Sequence, residues 1–264
     1  MSNDSVKKTV SVAFLLCVVC SVLVAGAAVL LRPLQEENKK LDVTKNLLLV
    51  TGLIKTMDTP KGQVKEAYKN VTAKVIDLST GQLTDAVSAE TFDAKKAAKD
   101  PKQNYNIDQS NDIARIKMRA QFATVYFVKD HDAVTQIVLP IYGKGLWSTL
   151  YGFLSLAPDT VTVNGLGFYD HGETPGLGGE VDNPAWKALW PGKKVLDPAK
   201  EFAPILTVIK GQVTESTPGA ESKIDGLSGA TITSRSVEKL VKYWLGSDGY
   251  GKFLAKFRTG EIHL

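Results

Sequence analysis

The sequence is poor in cysteine and histidine and has little excess charge of either sign. Its 264 residues include two cysteines and three histidines, and the formal net charge is +4. Cys17 and Cys20 both lie in an apolar N-terminal run, so no disulfide framework is available to the rest of the chain. Lysine and arginine are interspersed with acidic residues, without a basic stripe, which argues against nucleic acid as a partner.

The sequence also gives little support for dinucleotide binding or for a metal site. No GxGxxG precedes an apolar helix, so the sequence lacks a dinucleotide-binding fingerprint. The Cys17-x-x-Cys20 pair could ligate a metal or cluster. We interpret the two thiols instead as small apolar groups in lipid, since free cysteine packs like a small hydrophobe. We therefore predict no metal site and no catalytic side chain.

The longest apolar run covers residues 9–31 and contains no charged residue. As a helix it is about 35 Å long, enough to cross a hydrocarbon core of about 30 Å. A cleavable signal peptide is the alternative, because Lys7 and Lys8 precede the run and Ala25-Gly26-Ala27 resembles a cleavage site. Continuation of the run to Arg32 favours a retained anchor. Basic residues flank both ends, so the charge pattern leaves the orientation open.

We divide the chain into a tail (1–8), a transmembrane helix (9–31), a juxtamembrane helix or linker (32–60) and a folded domain (61–264). Residues 34–51 carry leucine at heptad spacing, and Gly52 is placed to end that helix. Residues 64–78 have a mixed pattern, and the stretch at 79–82 is typical of a turn. The polar segment 83–118 predicts one or two surface helices joined by loops.

Four β-branched and aromatic stretches, at 123–130, 134–143, 148–158 and 160–170, are separated by short turns and predict an antiparallel sheet. A short helix is predicted at 183–192 and one more strand at 202–211. Two amphipathic helices should follow, the first starting near Ser234 and the second near Tyr250. The predicted fold class is α+β, a largely antiparallel sheet with flanking helices behind one membrane helix.

Glycine is concentrated in two segments that follow predicted strands. The sequence DHGETPGLGGEV (170–181) presents Leu177 between glycines, and GKGLWSTLYG (143–152) presents Trp147 just after two glycines. Missing Cβ atoms allow a tight turn or close approach of a ligand to the backbone. The first segment is either a structural turn or a binding loop. Trp147 could equally lie in the core or against a planar ligand.

The stretch IDGLSGATITSRSVEKL (224–240) has small residues from Ser228 to Thr231 and more hydroxyls than one helix cap needs. A serine hydrolase is excluded, because the GxSxG elbow is absent and His263 is the only downstream histidine. Thr233 or Ser234 would serve as an N-cap. The small residues suit phosphate binding at a helix N-terminus, where N–H groups and the helix dipole favour an anion.

The S-G-A-T sequence ending at Thr231 resembles the motif of proteins that carry FMN bound through its phosphate to that threonine. HGETPGLGGEV and GKGLWSTLYGF look like other flavin-contacting segments of one branch, the C subunit of the Na⁺-translocating NADH:quinone reductase. The resemblance covers nearly the whole chain and is weakest over 83–118. The S-G-A-T motif alone is shared with the G subunit of the Rnf electron-transport complex.

This resemblance implies a covalent FMN on Thr231, with Asp225 in the recognition motif of a flavin transferase or, alternatively, starting a turn. Glu173 would bond the ribityl chain or cap its loop, and His171 would be structural rather than a proton donor. The other implied cofactor-binding residues are Ser228, Gly229, Ala230, Ile232 and Thr233 around the phosphate, and Trp147, Thr174, Gly176, Leu177 and Gly178 near the ring.

The resemblance also implies a place in the cell and a role. The large domain would lie on the periplasmic side of a bacterial inner membrane, in contact with lipid through its single span. The chain would relay electrons from a metal centre in a partner protein of the complex to a second flavin, during NADH oxidation coupled to Na⁺ export. Alone it should have no turnover. Two alternatives remain: a G subunit of the Rnf type, and a noncatalytic exported domain.

Overall fold

The computed structural model describes residues 5–131 and 133–262. The hydrolase argument from His263 and the predicted tail at residues 1–4 lie outside the described residues. By backbone contacts the chain divides into two compact units, residues 1–43 and 44–264. The domain limits drawn from the sequence at residues 31 and 60 stay predictions.

A single helix, α1 (Val6–Val50), joins the two N-terminal helical segments that the sequence predicts separately. It continues through Pro33, whose missing N–H removes one helical hydrogen bond. Among the described residues it is the one helix long and apolar enough to cross a membrane. Cys17 and Cys20 are exposed on it, and the described part of the chain has no group of metal-ligating side chains.

Helix α1 ends as the sequence predicts, at Gly52. This glycine has a φ of +74°. Its N–H donates to the carbonyl of Leu49, and that of Leu53 donates to Leu48, 3.0 Å in both cases. These two bonds form the Schellman arrangement, which satisfies carbonyls that the last helical turn leaves free.

The folded unit is built around a six-stranded sheet, accompanied by three two-stranded pairings. The strands are β1 (Val71–Asp77), β2 (Gln82–Leu83), β3 (Asn104–Asn106), β4 (Met118–Ala120), β5 (Phe122–Asp130), β6 (Ala133–Lys144), β7 (Thr149–Leu156), β8 (Val163–Asp170), β9 (Leu196–Asp197), β10 (Ala203–Pro204), β11 (Thr207–Ile209) and β12 (Lys223–Asp225). The main sheet has the order β2-β1-β5-β6-β7-β8, and all its pairs are antiparallel. The four predicted strands thus form the meander β5 to β8.

The remaining helices are α2 (Lys61–Tyr68), α3 (Ala94–Ala97), α4 (Pro184–Lys187), α5 (Thr231–Leu245) and α6 (Gly251–Arg258), with 3₁₀ turns at Gly178–Asp182, Pro198–Lys200 and Ala220–Ser222. Helix α4 ends before Pro191, so the prediction of a helix over 183–192 was too long.

Two predictions about secondary structure were wrong, and one segment without a prediction forms regular structure. The mixed segment 64–78 contains the end of α2 and the whole of β1, and β1 pairs along its full length with β5. Between β2 and β4, the segment 83–118 forms the one-turn helix α3 and the short strand β3 and no long helix, because it lacks an apolar stripe to pack. The single strand expected at 202–211 is split, β10 pairing with β9 and β11 running parallel to β12.

Helices α5 and α6 pack on the sheet and complete the core. Their buried side chains Leu240, Trp244 and Phe253 are at most 2% exposed. Strand β6 pairs with β5 only up to Val138. Beyond that point, the β6 carbonyls that face away from β7 have no partner strand. The Trp244 Nε1 and the Tyr250 hydroxyl donate to two of these carbonyls, at Tyr142 and Pro140, each over 2.7 Å. The fold class predicted from the sequence is confirmed.

Candidate functional site

Glu173 is the centre of the site. It follows β8, is 5% exposed, and its carboxylate accepts four hydrogen bonds. Oε1 receives the N–H groups of Trp147 and Ser148 at 3.0 and 3.1 Å. Oε2 receives the N–H of Leu146 at 3.2 Å and the hydroxyl of Thr233 at 2.7 Å. One carboxylate therefore joins the β6–β7 loop (residues 145–148) to helix α5.

Two glycines make room for this carboxylate. A Cβ on Gly145 would lie 2.5 Å from Oε1 of Glu173. A Cβ on Gly178 would lie 2.6 Å from Oγ1 of Thr233 and 2.8 Å from Oε2 of Glu173. All three distances are shorter than carbon–oxygen contact allows. Gly178 was predicted as a site residue, and the structure shows that close packing requires a glycine there.

The hydrogen bonds also fix the charge of Glu173. Burial by itself raises the pKa of this carboxyl, but the Thr233 hydroxyl and the three loop amides bond to the ionised form and bring the net pKa below its usual value. Each oxygen already has two donors. The structure shows the loop contacts of Glu173, and its contact with the ribityl chain stays a prediction.

His171 is held on the same segment by both ring nitrogens. Nε2 lies 2.7 Å from Oδ2 of Asp182, and Nδ1 accepts the N–H of Glu173 at 3.2 Å. The hydrogen bond with Asp182 raises the pKa of His171, while burial lowers it. Because Nδ1 serves as an acceptor, the proton sits on Nε2. These contacts agree with the structural role predicted for His171.

The hydroxyls of the 228–236 stretch divide into engaged and exposed groups. Thr233 bonds to Glu173, Ser234 Oγ accepts the N–H of Leu227 at 2.9 Å, and Ser236 Oγ accepts from Arg115 at 3.2 Å. Ser228 and Thr231 are exposed. Within the described chain, no hydrogen bond involves either of these two hydroxyls. The excess of hydroxyls is therefore explained by packing at three positions and unexplained at two.

Helix α5 starts three residues earlier than predicted, and its N-cap is Ala230, which has no capping hydroxyl. The predicted caps Thr233 and Ser234 lie inside the helix and are buried. Their hydroxyls bond elsewhere in the fold, which outweighs the local preference for capping. In the described structure the N–H groups of residues 231–233 have no acceptor. The helix thus opens with three free donors beside the Thr231 hydroxyl.

A cleft of about 1120 Å³ opens beside Thr231. Five predicted site residues line it: Gly176, Asp225, Ser228, Gly229 and Thr231. Trp186, Lys210 and Arg235 are also in its wall. Asp225 is tied into the fold, since its Oδ1 accepts the N–H of Val213 at 2.8 Å and its carbonyl accepts from Trp186 Nε1 at 2.9 Å.

The other predicted residues lie outside the lining of this cleft. Trp147, Leu177 and Ile232 are 67%, 45% and 52% exposed. Leu177 comes close to Gly229, where a Cβ would lie 2.9 Å from its Cδ2. Thr174 is exposed, and its carbonyl accepts the N–H groups of Leu177 and Gly179. Ala230 is 7% exposed and belongs to the core.

Sequence reasoning missed three residues that shape the site. Gly145 lies two residues before Trp147 and Ser148 directly after it, and the Ser148 hydroxyl accepts the N–H of Gly172 at 2.6 Å. Arg115 reaches the site from the polar segment 83–118, which showed no motif. Of the three, only Gly145 gave a local signal, as the second glycine of the sequence GKGLW.

Known proteins share this architecture. The FMN-binding domain family matches residues 145–246, from the β6–β7 loop to the end of α5. The C subunit of the Na(+)-translocating NADH-quinone reductase of Pseudomonas aeruginosa is 47% identical over 261 residues, 98% of this chain and 99% of that protein. Its counterpart in Pasteurella multocida is 47% identical over 264 residues, 99% of this chain and 98% of that protein.

Solved structures agree with these matches. The crystal structure of NqrC from Shewanella oneidensis superposes with a TM-score of 0.75 at 32% identity, covering 84% of this chain and 99% of that one. The C subunit from Parabacteroides distasonis gives a TM-score of 0.64 at 25% identity, covering 85% and 96%. The family predicted from the sequence is confirmed. The chain therefore belongs to the family of C subunits of the Na⁺-translocating NADH:quinone reductase, an oxidoreductase complex, and contains an FMN-binding domain.

Proposed function

We propose that this chain is a membrane-anchored electron carrier with FMN esterified through its phosphate to Thr231. The observation that carries the proposal is the contrast among neighbouring hydroxyls. Those of Thr233, Ser234 and Ser236 are engaged in the fold, whereas that of Thr231 is exposed at the open start of α5. A modifying enzyme can reach Thr231 without disturbing a packed contact.

The start of α5 suits a phosphodiester. The free N–H groups of residues 231–233 point out of the helix end, and the helix dipole adds partial positive charge there. Gly229, with a φ of +70°, turns the chain just before the helix without a side chain over the site. The hydroxyl of Thr233 is committed to Glu173, so Thr233 would contribute its N–H rather than its side chain.

Exposed apolar side chains on three segments of the predicted site suit a planar ring. Trp147, Leu177 and Ile232 are each about half exposed or more, so a ring held beside them would cover apolar surface that now faces water. FMN, when attached, supplies reversible one-electron chemistry. The chain's own residues would then orient the ring and exclude water from it, which tunes its potential.

The proposed role needs partners. Electrons would come from a metal centre in one partner protein and leave to a second flavin in another, during NADH oxidation coupled to Na⁺ export. A flavin transferase would recognise the segment from Asp225 to Thr231, and Asp225 holds that segment by bonding to Val213. We place the folded domain on the periplasmic side of a bacterial inner membrane, anchored in lipid by α1.

The two alternative functions are less well supported. Relatives that are 41–47% identical over 98–99% of this chain are named as the C subunit of the Na(+)-translocating NADH-quinone reductase. This favours that complex over the Rnf type. The match to the FMN-binding domain favours a flavoprotein over a noncatalytic exported domain.

The test is the mass of the full-length chain produced with a flavin transferase. The unaltered chain and Ser228→Ala should each gain one FMN less one water, whereas Thr231→Ala should gain nothing. Ser228→Ala is the matched control, because it removes the other exposed hydroxyl of the motif. Flavin on Thr231→Ala, or its loss from Ser228→Ala alone, would assign the ester to another residue.

A further inference from the structure

Arg115 lies in the polar segment before β4, far in sequence from the FMN motif, yet it contacts both halves of the site. Its Nη2 donates to the carbonyls of Gly145 and Lys144 at 3.0 and 3.3 Å. The same nitrogen donates to the hydroxyl of Ser236 in α5 at 3.2 Å. One guanidinium thus links the start of the β6–β7 loop to the helix that begins with Thr231.

The backbone around Arg115 is held in an uncommon conformation. Arg115 and Lys117 have φ values of +55° and +64°, which cost free energy in residues other than glycine. The carboxylate of Asp112 compensates by accepting the N–H groups of Ile116 and Lys117 at 2.9 and 2.8 Å. Such conformations persist where the surrounding structure fixes them, and here the result is the placement of one guanidinium.

Arg115 and Glu173 complement each other. Glu173 accepts the N–H groups of residues 146–148 and reaches Thr233. Arg115 donates to the carbonyls of residues 144 and 145 and reaches Ser236. Thr233 and Ser236 are three positions apart, so both contacts fall on one face of α5. Glu173 therefore links the N–H groups of this loop, and Arg115 links its first carbonyls, to the same face of α5.

We propose that Arg115 is a positioning residue that fixes the β6–β7 loop, and with it Trp147, relative to α5 and Thr231. Its functional meaning rests on the proposed attachment of FMN to Thr231. When the β6–β7 loop and the start of α5 are both fixed, the flavin ring attached at Thr231 has one orientation against Trp147. Loss of the guanidinium removes the contacts to the carbonyls of residues 144 and 145 and so loosens the loop. It leaves the attachment point intact, because within the described chain Arg115 donates no hydrogen bond to Thr231 or to residues 226–230.

The experiment uses the full-length chain in detergent, produced with a flavin transferase, with the variants Arg115→Ala, Arg115→Lys and Ser236→Ala. Lys117→Ala is the matched control, since it removes a neighbouring cation on the same left-handed turn. Three quantities are measured: FMN content by mass, the visible circular dichroism of the flavin, and hydrogen exchange at the amides of residues 145–148.

Arg115→Ala should keep the FMN content of the unaltered chain but lose about half of the flavin dichroism. Exchange at the loop amides should become about tenfold faster. Ser236→Ala should change both in the same direction by less, and Arg115→Lys should restore part of the loss. Lys117→Ala should match the unaltered chain.

Unchanged loop exchange in Arg115→Ala, or an equal change in Lys117→Ala, would overturn the positioning role. Should Arg115→Ala fail to fold, Ser236→Ala carries the test, because it removes one oxygen from the contact. Hydrogen exchange needs no flavin. An unaltered chain without FMN would therefore refute the proposed function, while the exchange data would still decide whether Arg115 fixes the loop.

Discussion

The hydroxyl of Thr233 donates to Oε2 of Glu173 over 2.7 Å, joining two residues that lie 60 positions apart. Both groups are buried, at 1% and 5% exposure. This bond connects the strand-following loop that carries Leu177 to the helix that begins at Thr231. The geometry of the proposed flavin site depends on it.

Replacing Glu173 with glutamine should destabilise the folded domain by about 1–3 kcal/mol. The glutamine amide group would turn donors toward loop N–H groups that now have a carboxylate acceptor. The measurement is the free energy of unfolding in denaturant, followed by circular dichroism. Glu221→Gln, at an exposed position, is the control and should match the unaltered chain. Equal stability of Glu173→Gln would show that the buried carboxylate does not hold the loop.

The contribution of Glu173 should depend on pH. Its pKa in the folded state is lowered below the usual 4.5, despite burial, by the hydrogen bonds that it accepts. A lowered pKa gives stability that is fully present above the unfolded-state value and is lost as the pH falls through the folded-state value.

The difference in unfolding free energy between the unaltered chain and Glu173→Gln should therefore be constant between about pH 6 and 8 and shrink in acid. The measurement is a series of denaturant titrations from neutral pH downward. A difference that grew in acid would mean that the carboxyl is protonated in the fold.

Gly178→Ala should damage the site through steric overlap. The new methyl group would lie 2.6 Å from Thr233 Oγ1, and overpacking of this kind costs about 1–3 kcal/mol. The control is Gly62→Ala in helix α2, where a Cβ meets nothing within 4 Å. That change should be neutral or stabilising by up to about 1 kcal/mol. Melting temperatures of both variants decide the question, and equal values would contradict this packing.

Thr231→Ser should be modified poorly or not at all, because a transferase must position the hydroxyl and serine lacks the methyl group that restricts its rotation. The measurement is FMN per chain after production with the transferase, compared with the unaltered chain. Full incorporation into the serine variant would mean that the primary hydroxyl is oriented well enough without the methyl group.

The parts of the fold that follow from local patterns were predictable. The strands from β5 to β8 alternate with short turns, and Gly52 ends α1 as its position suggests. Strand β1 escaped prediction because its partner, β5, begins some fifty residues later, and its own stretch mixes Thr72 and Lys74 with apolar residues. Such non-local pairing leaves little trace in one segment.

The candidate site was predictable where small residues mark it and unpredictable where long-range contacts build it. Thr231 and the glycine-rich segments stand out from the sequence alone. The start of α5 was placed too late, because Thr233 and Ser234 look like caps but bond to Glu173 and Leu227. Arg115 gave no signal, since its importance comes only from the carbonyls and the hydroxyl that the fold brings to it.

The most direct test of the account is the mass of the tryptic peptide 224–235, taken from the protein matured in its native membrane. The account predicts the peptide mass plus one FMN less one water, with fragmentation assigning the addition to Thr231. An unmodified peptide, from a chain that shows no flavin absorbance after denaturation, would contradict it.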